Sequence, residues 1–171
     1  MTISGITTCL WFDGQAQQAA DFYVGLFDDA EMGDVSHLPD GSVLTAEFQL
    51  FGQKFLALNG GPHYTLTPAV SFQLFCDTQV EIDHLWSSLT SHGGHESRCG
   101  WCTDRFGVSW QVIPRVLPEL LGHADAEVAT YAHTAMLQMG RLVIDGLTPP
   151  AGDSVSEPSA PVNLSPTHDP L

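Results

Sequence analysis

The stretch Cys99-Gly100-Trp101-Cys102-Thr103-Asp104-Arg105-Phe106-Gly107-Val108-Ser109-Trp110-Gln111-Val112-Ile113-Pro114 reads as two β-strands closed by a tight turn. Asp104 to Gly107 carry the turn chemistry, with a short acid first and a glycine free to take positive φ last. Val108 to Ile113 then alternates, so that Trp110 and Val112 point to one face and Ser109, Gln111 and Ile113 to the other. A half-buried Gln111 needs hydrogen-bond partners, because leaving a buried amide unpaired costs about 1–3 kcal/mol. It marks either a polar pocket or a structural cost.

Upstream, Ile3 to Phe12 is an apolar, β-prone run broken by Asp13-Gly14. Ala16, Ala19, Ala20, Tyr23, Leu26 and Phe27 then share one face of a helix. Met32 to Leu38, Val43 to Leu50 and Lys54 to Leu58 are strands punctuated by Pro39-Asp40-Gly41 and Phe51-Gly52, giving the order βαβββ. After Asn59-Gly60-Gly61-Pro62 the order starts again. Ala69 to Cys76 is a strand, and Thr78 with Glu81 forms a capping box for a helix whose stripe is Ile82, Leu85, Trp86 and Leu89. Glu96 to Cys102 and Val108 to Ile113 follow as strands. The expected fold is α+β, two βαβββ modules over residues 1–115 (about 1–62 and 68–115). A helical extension follows over 116–146, where Asp125 caps a helix with Val128, Ala132, Ala135, Met139 and Leu142 on one face. Residues 147–171, rich in Pro, Ser and acid, are expected to be a disordered tail; six of the chain's 11 prolines lie beyond Thr148.

The formal net charge of −15, from 20 acidic and 5 basic residues, leaves too few cations for a nucleic acid or an anionic membrane surface. With no apolar run of bilayer-spanning length and no signal-peptide pattern, the expected location is cytoplasmic. Cys9, Cys76, Cys99 and Cys102 sit in apolar segments and read as free thiols.

Cys-Leu-Trp-Phe-Asp-Gly (9–14), Ala-Asp-Phe-Tyr (20–23), Ala-Leu-Asn-Gly-Gly (57–61), Cys-Gly-Trp (99–101) and Gly-Val-Ser-Trp-Gln (107–111) together resemble the PhnB-like proteins. These belong to the glyoxalase/bleomycin resistance/extradiol dioxygenase group, the vicinal oxygen chelate superfamily, and many carry the label 3-demethylubiquinone-9 3-methyltransferase. The resemblance implies sheets that curl around a shared cavity completed in a homodimer. It also implies metal-ligand positions on the first and last strands of each module, which fall here at Thr8, at Ala57 or Asn59, at Ser71 and at Gln111. None is a strong ligand for a divalent transition metal.

The expectation is therefore a cavity without the usual metal or any other cofactor, lined by Thr8, Asn59, Ser71, Gln73 and Gln111 and binding a small organic ligand on which Trp101 stacks. The same polar groups are equally suited to satisfying one another or bound water. Cys99 is a weak candidate nucleophile, with no matching base in view. Trp11, Trp86 and Trp110 are assigned to helix-facing packing. Three functional classes stay open: a metal-independent enzyme, a non-catalytic sequestering protein, and, less favoured, a divalent-metal enzyme with displaced ligands such as His63 or Cys99. A zinc site at His92, His95, Cys99 and Cys102 is disfavoured, because three residues between the pairs leave little chain to wrap an ion. Methyl transfer is doubtful, because Asn59-Gly60-Gly61-Pro62 opens no helix that would hold a nucleotide.

Overall fold

A computed structural model describes residues 4–150. Two four-stranded sheets share one topology. The first module runs β1 (Thr8–Phe12), α1 (Ala16–Leu26), β2 (Ala30–His37), β3 (Val43–Leu50) and β4 (Gln53–Asn59), with strand order β1-β4-β3-β2. The second runs β5 (Phe72–Cys76), α2 (Gln79–Thr90), β6 (His95–Glu96), β7 (Trp101–Thr103) and β8 (Ser109–Pro114), with strand order β5-β8-β7-β6. In each, the first strand lies parallel to the last and the remaining pairings are antiparallel. The fold is the α+β architecture of paired βαβββ modules.

Each sheet has a helix face and an open face. On the first, Leu10, Phe12, Ala46, Phe48, Phe55 and Ala57 are buried with Ala16, Ala19, Ala20 and Tyr23 of α1. On the second, Cys76, Cys102, Trp110 and Val112 are buried with Ile82, Trp86 and Leu89 of α2. The capping box of α2 is present: Thr78 Oγ1 accepts the Glu81 N–H, and the Glu81 carboxylate accepts the Thr78 N–H at 2.8 Å. Strand β2 is irregular, with register shifts between Met32 and Val35 and between Ser36 and His37. At the first of these, a Cβ on Gly33 would stand 2.9 Å from the Glu47 Cβ.

One buried acid joins the modules. Asp104, 2% exposed, opens the β7–β8 turn and accepts the Phe106 and Val108 N–H groups on Oδ1 at 2.8 and 3.1 Å. Its Oδ2 accepts the Tyr23 hydroxyl at 2.7 Å and the Trp110 indole N–H at 2.8 Å. Tyr23 thus reaches from α1 of the first module into the turn of the second. Its ring also lies 5.4 Å from Trp110 and 5.7 Å from Phe48.

The expected strand Glu96 to Cys102 is broken. Cys99 (φ 58°) and Gly100 (φ 80°) are both left-handed, and their N–H groups leave the sheet to donate to Met139 O and Gly140 O, each at 2.7 Å. Only His95–Glu96 and Trp101–Thr103 pair as strands. Beyond β8 the chain forms α3 (Leu117–Leu121) and α4 (Ala126–Gln138), the latter capped by Asp125, and a 3-10 turn at Ile144–Leu147. Ile113, Leu117, Leu120, Ala132, Leu142 and Leu147 make a second buried cluster. Leu147 is fully buried, so the chain is still packed at the expected first residue of the tail. The tail from residue 151 lies outside the described residues. Among the described residues, no helix is long and apolar enough to cross a membrane.

Burial, and then the charge and hydrogen bond of Asp104, raise the Tyr23 phenol well above its ordinary value. The folded chain keeps this proton where the unfolded chain loses it, so the Tyr23 contribution is intact below the unfolded value of about 10 and declines as pH rises past it. Tyr23→Phe is expected to cost about 1–3 kcal/mol at pH 7, because Asp104 loses a donor. It should also reduce the loss of stability between neutral pH and pH about 11. Urea midpoints at the two pH values check both.

Candidate functional site

The open face of the second sheet carries a polar row on an otherwise apolar scaffold. Gln111 on β8 stands between Gln73 on β5 and Trp101 on β7, each its direct cross-strand partner. Gln111 Nε2 donates to Ser71 Oγ at 2.8 Å, and Gln73 Nε2 donates to Gln111 Oε1 at 3.1 Å. The two amides and the hydroxyl form one chain of neutral hydrogen bonds, which fixes the orientation of Gln111. A cavity of about 410 Å³ opens beside β5, with Phe51, Gln53, Ser71, Phe72, Gln73 and Gln111 among its lining. Ser109 lies on the same face of β8, 3% exposed, and its hydroxyl has no partner among the described residues. The alternation of β8 puts Ser109 beside Gln111 already in the sequence, but its lack of a partner needs the packed structure.

Three sequence-assigned cavity positions belong elsewhere. Thr8, Ala57 and Asn59 share the helix face of the first sheet, because Thr8 pairs with Phe55, Leu10 with Ala57 and Phe12 with Asn59. Thr8 Oγ1 accepts a bond from Gln53 at 3.2 Å. Asn59 caps α1 from a distance: its Oδ1 accepts the Ala16 N–H at 2.8 Å, and its Nδ2 donates to Val43 O at 3.0 Å. The reverse error concerns Trp11, assigned to the helix face but facing the open side. It lies edge-on to Tyr64 with centroids 5.0 Å apart, and its indole N–H donates to Gly61 O at 2.8 Å. A Cβ on Gly60 would fall 2.1 Å from the Trp11 ring, so the Asn-Gly-Gly motif is a capping residue followed by clearance for an indole.

The open face of the first sheet is charged. Glu31, Gln49 and Lys54 form one cross-strand row and Glu47, Leu56 and Cys9 the next, and a hollow of about 500 Å³ lies along it. Sequence reasoning missed this face through the same one-residue slip.

Cys99 sits in the left-handed loop before β7, half-buried. Cys76 and Cys102 are buried, and desolvation pushes their thiols up to about 11 and about 12, which makes them poor nucleophiles at neutral pH. Among the described residues no three His, Cys, Asp or Glu side chains converge as a metal cage would require. In the Gln111 row the donors are amides and a hydroxyl already bonded to one another, a set that fits a divalent transition metal poorly.

A family model described as 3-demethylubiquinone-9 3-methyltransferase matches residues 4–113. The chain belongs to this family. Its fold and relatives place it with the PhnB-like proteins of the vicinal oxygen chelate superfamily. Among solved structures, a putative 3-demethylubiquinone-9 3-methyltransferase, PhnB protein, from Bacillus cereus is 33% identical; the match covers 65% of this chain and 99% of that one, with a TM-score of 0.60. A protein from Pseudomonas aeruginosa shares the fold at 20% identity, covering 63% of this chain and 95% of that one, with a TM-score of 0.50. Among curated proteins nothing matches.

The family's name implies a methyl-donor cofactor, and the glycines that might cradle one do not fit it. Residues 60–71 form no helix after β4, and the space over Gly60 is taken by Trp11. No methyl-transfer step follows from these residues.

Asn59→Ala is expected to cost about 1 kcal/mol through the lost cap. Gly60→Ala is expected to cost about 1–3 kcal/mol by displacing Trp11. Thermal denaturation with tryptophan fluorescence tests both: Gly60→Ala should shift the native emission, and Asn59→Ala should not.

Proposed function

We propose that this PhnB-like protein binds a small, neutral, mostly apolar organic molecule on the Gln111 row, without a metal or other cofactor. The carrying observation is the Ser71–Gln111–Gln73 hydrogen-bond chain on an open sheet face beside a cavity of about 410 Å³. A carboxamide held by two neighbours presents its remaining N–H and lone pair in fixed directions, which suits a hydroxyl, carbonyl or amide of a ligand. Trp101, directly across from Gln111, offers a flat apolar surface for a planar ligand.

The second reading is a protein that sequesters its ligand unchanged. The observation favouring it is the absence of acid-base chemistry around the row: the partner of Ser71 is an amide, and no imidazole or carboxylate bonds to any member of the chain. A general base within hydrogen-bond reach is what an activated serine requires.

We also assign the protein to the cytoplasm and to a homodimer. The dimer is supported by exposed apolar side chains on and beside β5, with Phe75 46% and Val70 68% exposed. It places two copies of each open face in one assembly.

A thermal-shift screen of uncharged aromatic and aliphatic compounds, followed by calorimetry, tests the site. Gln111→Ala should weaken any hit by about tenfold or more, the scale of one or two lost hydrogen bonds in a partly buried site. Unchanged affinity in that variant would refute the assignment, as would dependence on added divalent metal. Recovery of the ligand unchanged after long incubation would select the sequestering reading. Light scattering at tens of micromolar protein should give twice the 18.5 kDa chain mass.

A further inference from the structure

We propose that the C-terminal segment Met139–Leu147 is the specificity wall of the Gln111 site, closing its Ile113 end and holding the loop that carries Trp101. The inference rests on the reading of Gln111 as a ligand-binding residue. Ile113 follows Gln111 by two residues on β8, so the two side chains share the open face about 7 Å apart. Yet Ile113 is only 7% exposed. It is covered from the extension and packs in one cluster with Leu117, Leu120, Ala132, Leu142 and Leu147. The junction is tight: a Cβ on Gly100 would meet Leu142 Cδ1 at 3.1 Å and Ile113 Cδ1 at 3.3 Å. Leu142 therefore stands against Ile113 at the floor of the row.

The same segment is tied down on two sides. Met139 O and Gly140 O accept the N–H groups of Cys99 and Gly100, immediately before Trp101. On the α2 side, Gln79 donates to Leu142 O at 3.1 Å and accepts the Ile144 N–H at 2.9 Å, while Arg141 pairs with Asp83. A segment that only covered a core would not need to hold both the Trp101 loop and α2. The family model ends at residue 113, so this wall is an addition to the part of the fold that the family shares. It restricts a ligand whose polar group bonds Gln111 to an apolar tail that ends at Ile113 and Leu142.

The test uses para-alkylphenols, from methyl to pentyl, titrated into the full-length chain by calorimetry. In the native protein, affinity should rise by about fourfold per methylene until the tail meets the wall and then stop rising. Leu142→Ala should move that break to a longer tail while leaving para-methylphenol unaffected, and the milder Leu142→Val should move it less in the same direction. A break at the same tail length in native and both variant proteins, with Gln111→Ala still weakening the whole series, would overturn the wall while leaving the Gln111 site standing. A series that binds equally well to Gln111→Ala, or not at all to the native protein, would overturn the site and the wall together.

Discussion

A carboxylate buried to 2% exposure is the constraint from which the arrangement of the two modules follows. Burial raises the Asp104 carboxyl above its ordinary value, and four donors oppose that rise. Two of them are backbone amides of its own turn, one is the indole of β8, and one is the phenol of α1. An acid in this position is tolerable only when all four donors arrive together. Turn geometry, the orientation of Trp110 and the docking of α1 are therefore coupled. Moving α1 away from the turn strands a buried charge, so the first module is held at one distance and angle to the second.

Within that frame, what separates this chain from a metal-using relative is the state of its open faces. On the second sheet, every polar group of the Gln111 row is neutral and already engaged. On the first sheet, acids are present in Glu31 and Glu47, but they alternate with Gln49, Lys54 and Leu56 across the strands. The family name points to a group transfer for which the Asn59-Gly60-Gly61 segment supplies no cradle, since its three residues serve α1 and Trp11. Membership of a fold family and possession of its chemistry are separate matters, decided by different residues.

Much of this was legible in the residues. The apolar stripe of α1, the Thr78–Glu81 capping box and the Asp104–Gly107 turn are local patterns, and local patterns survive without knowledge of contacts. The facing of β8 was legible because one polar residue, Gln111, breaks an apolar strand. The facing of β1 was not, because Cys9, Leu10, Trp11 and Phe12 are apolar on both sides. A strand without alternation gives no parity, and a slip of one residue exchanges its faces. That slip moved Thr8, Ala57 and Asn59 into a cavity they do not line. The cap on α1 and the break at Cys99 depend on partners distant in the chain, Asn59 for Ala16 and Met139 for Cys99, and no short window of sequence contains them.

The left-handed pair at Cys99 and Gly100 also affects how copies of the chain meet. By cutting β6 to His95–Glu96, it leaves the outer border of the second sheet with a two-residue strand, too short to template a foreign strand. The outer border of the first sheet is β2, whose register shifts and Gly33 bend its hydrogen-bonding groups out of line. Both outer borders therefore resist the edge-to-edge growth that leads to fibrils. Sheet extension between copies is left to β1 and β5, the strands that border the other side of each sheet, and this limits how an orderly assembly can be built.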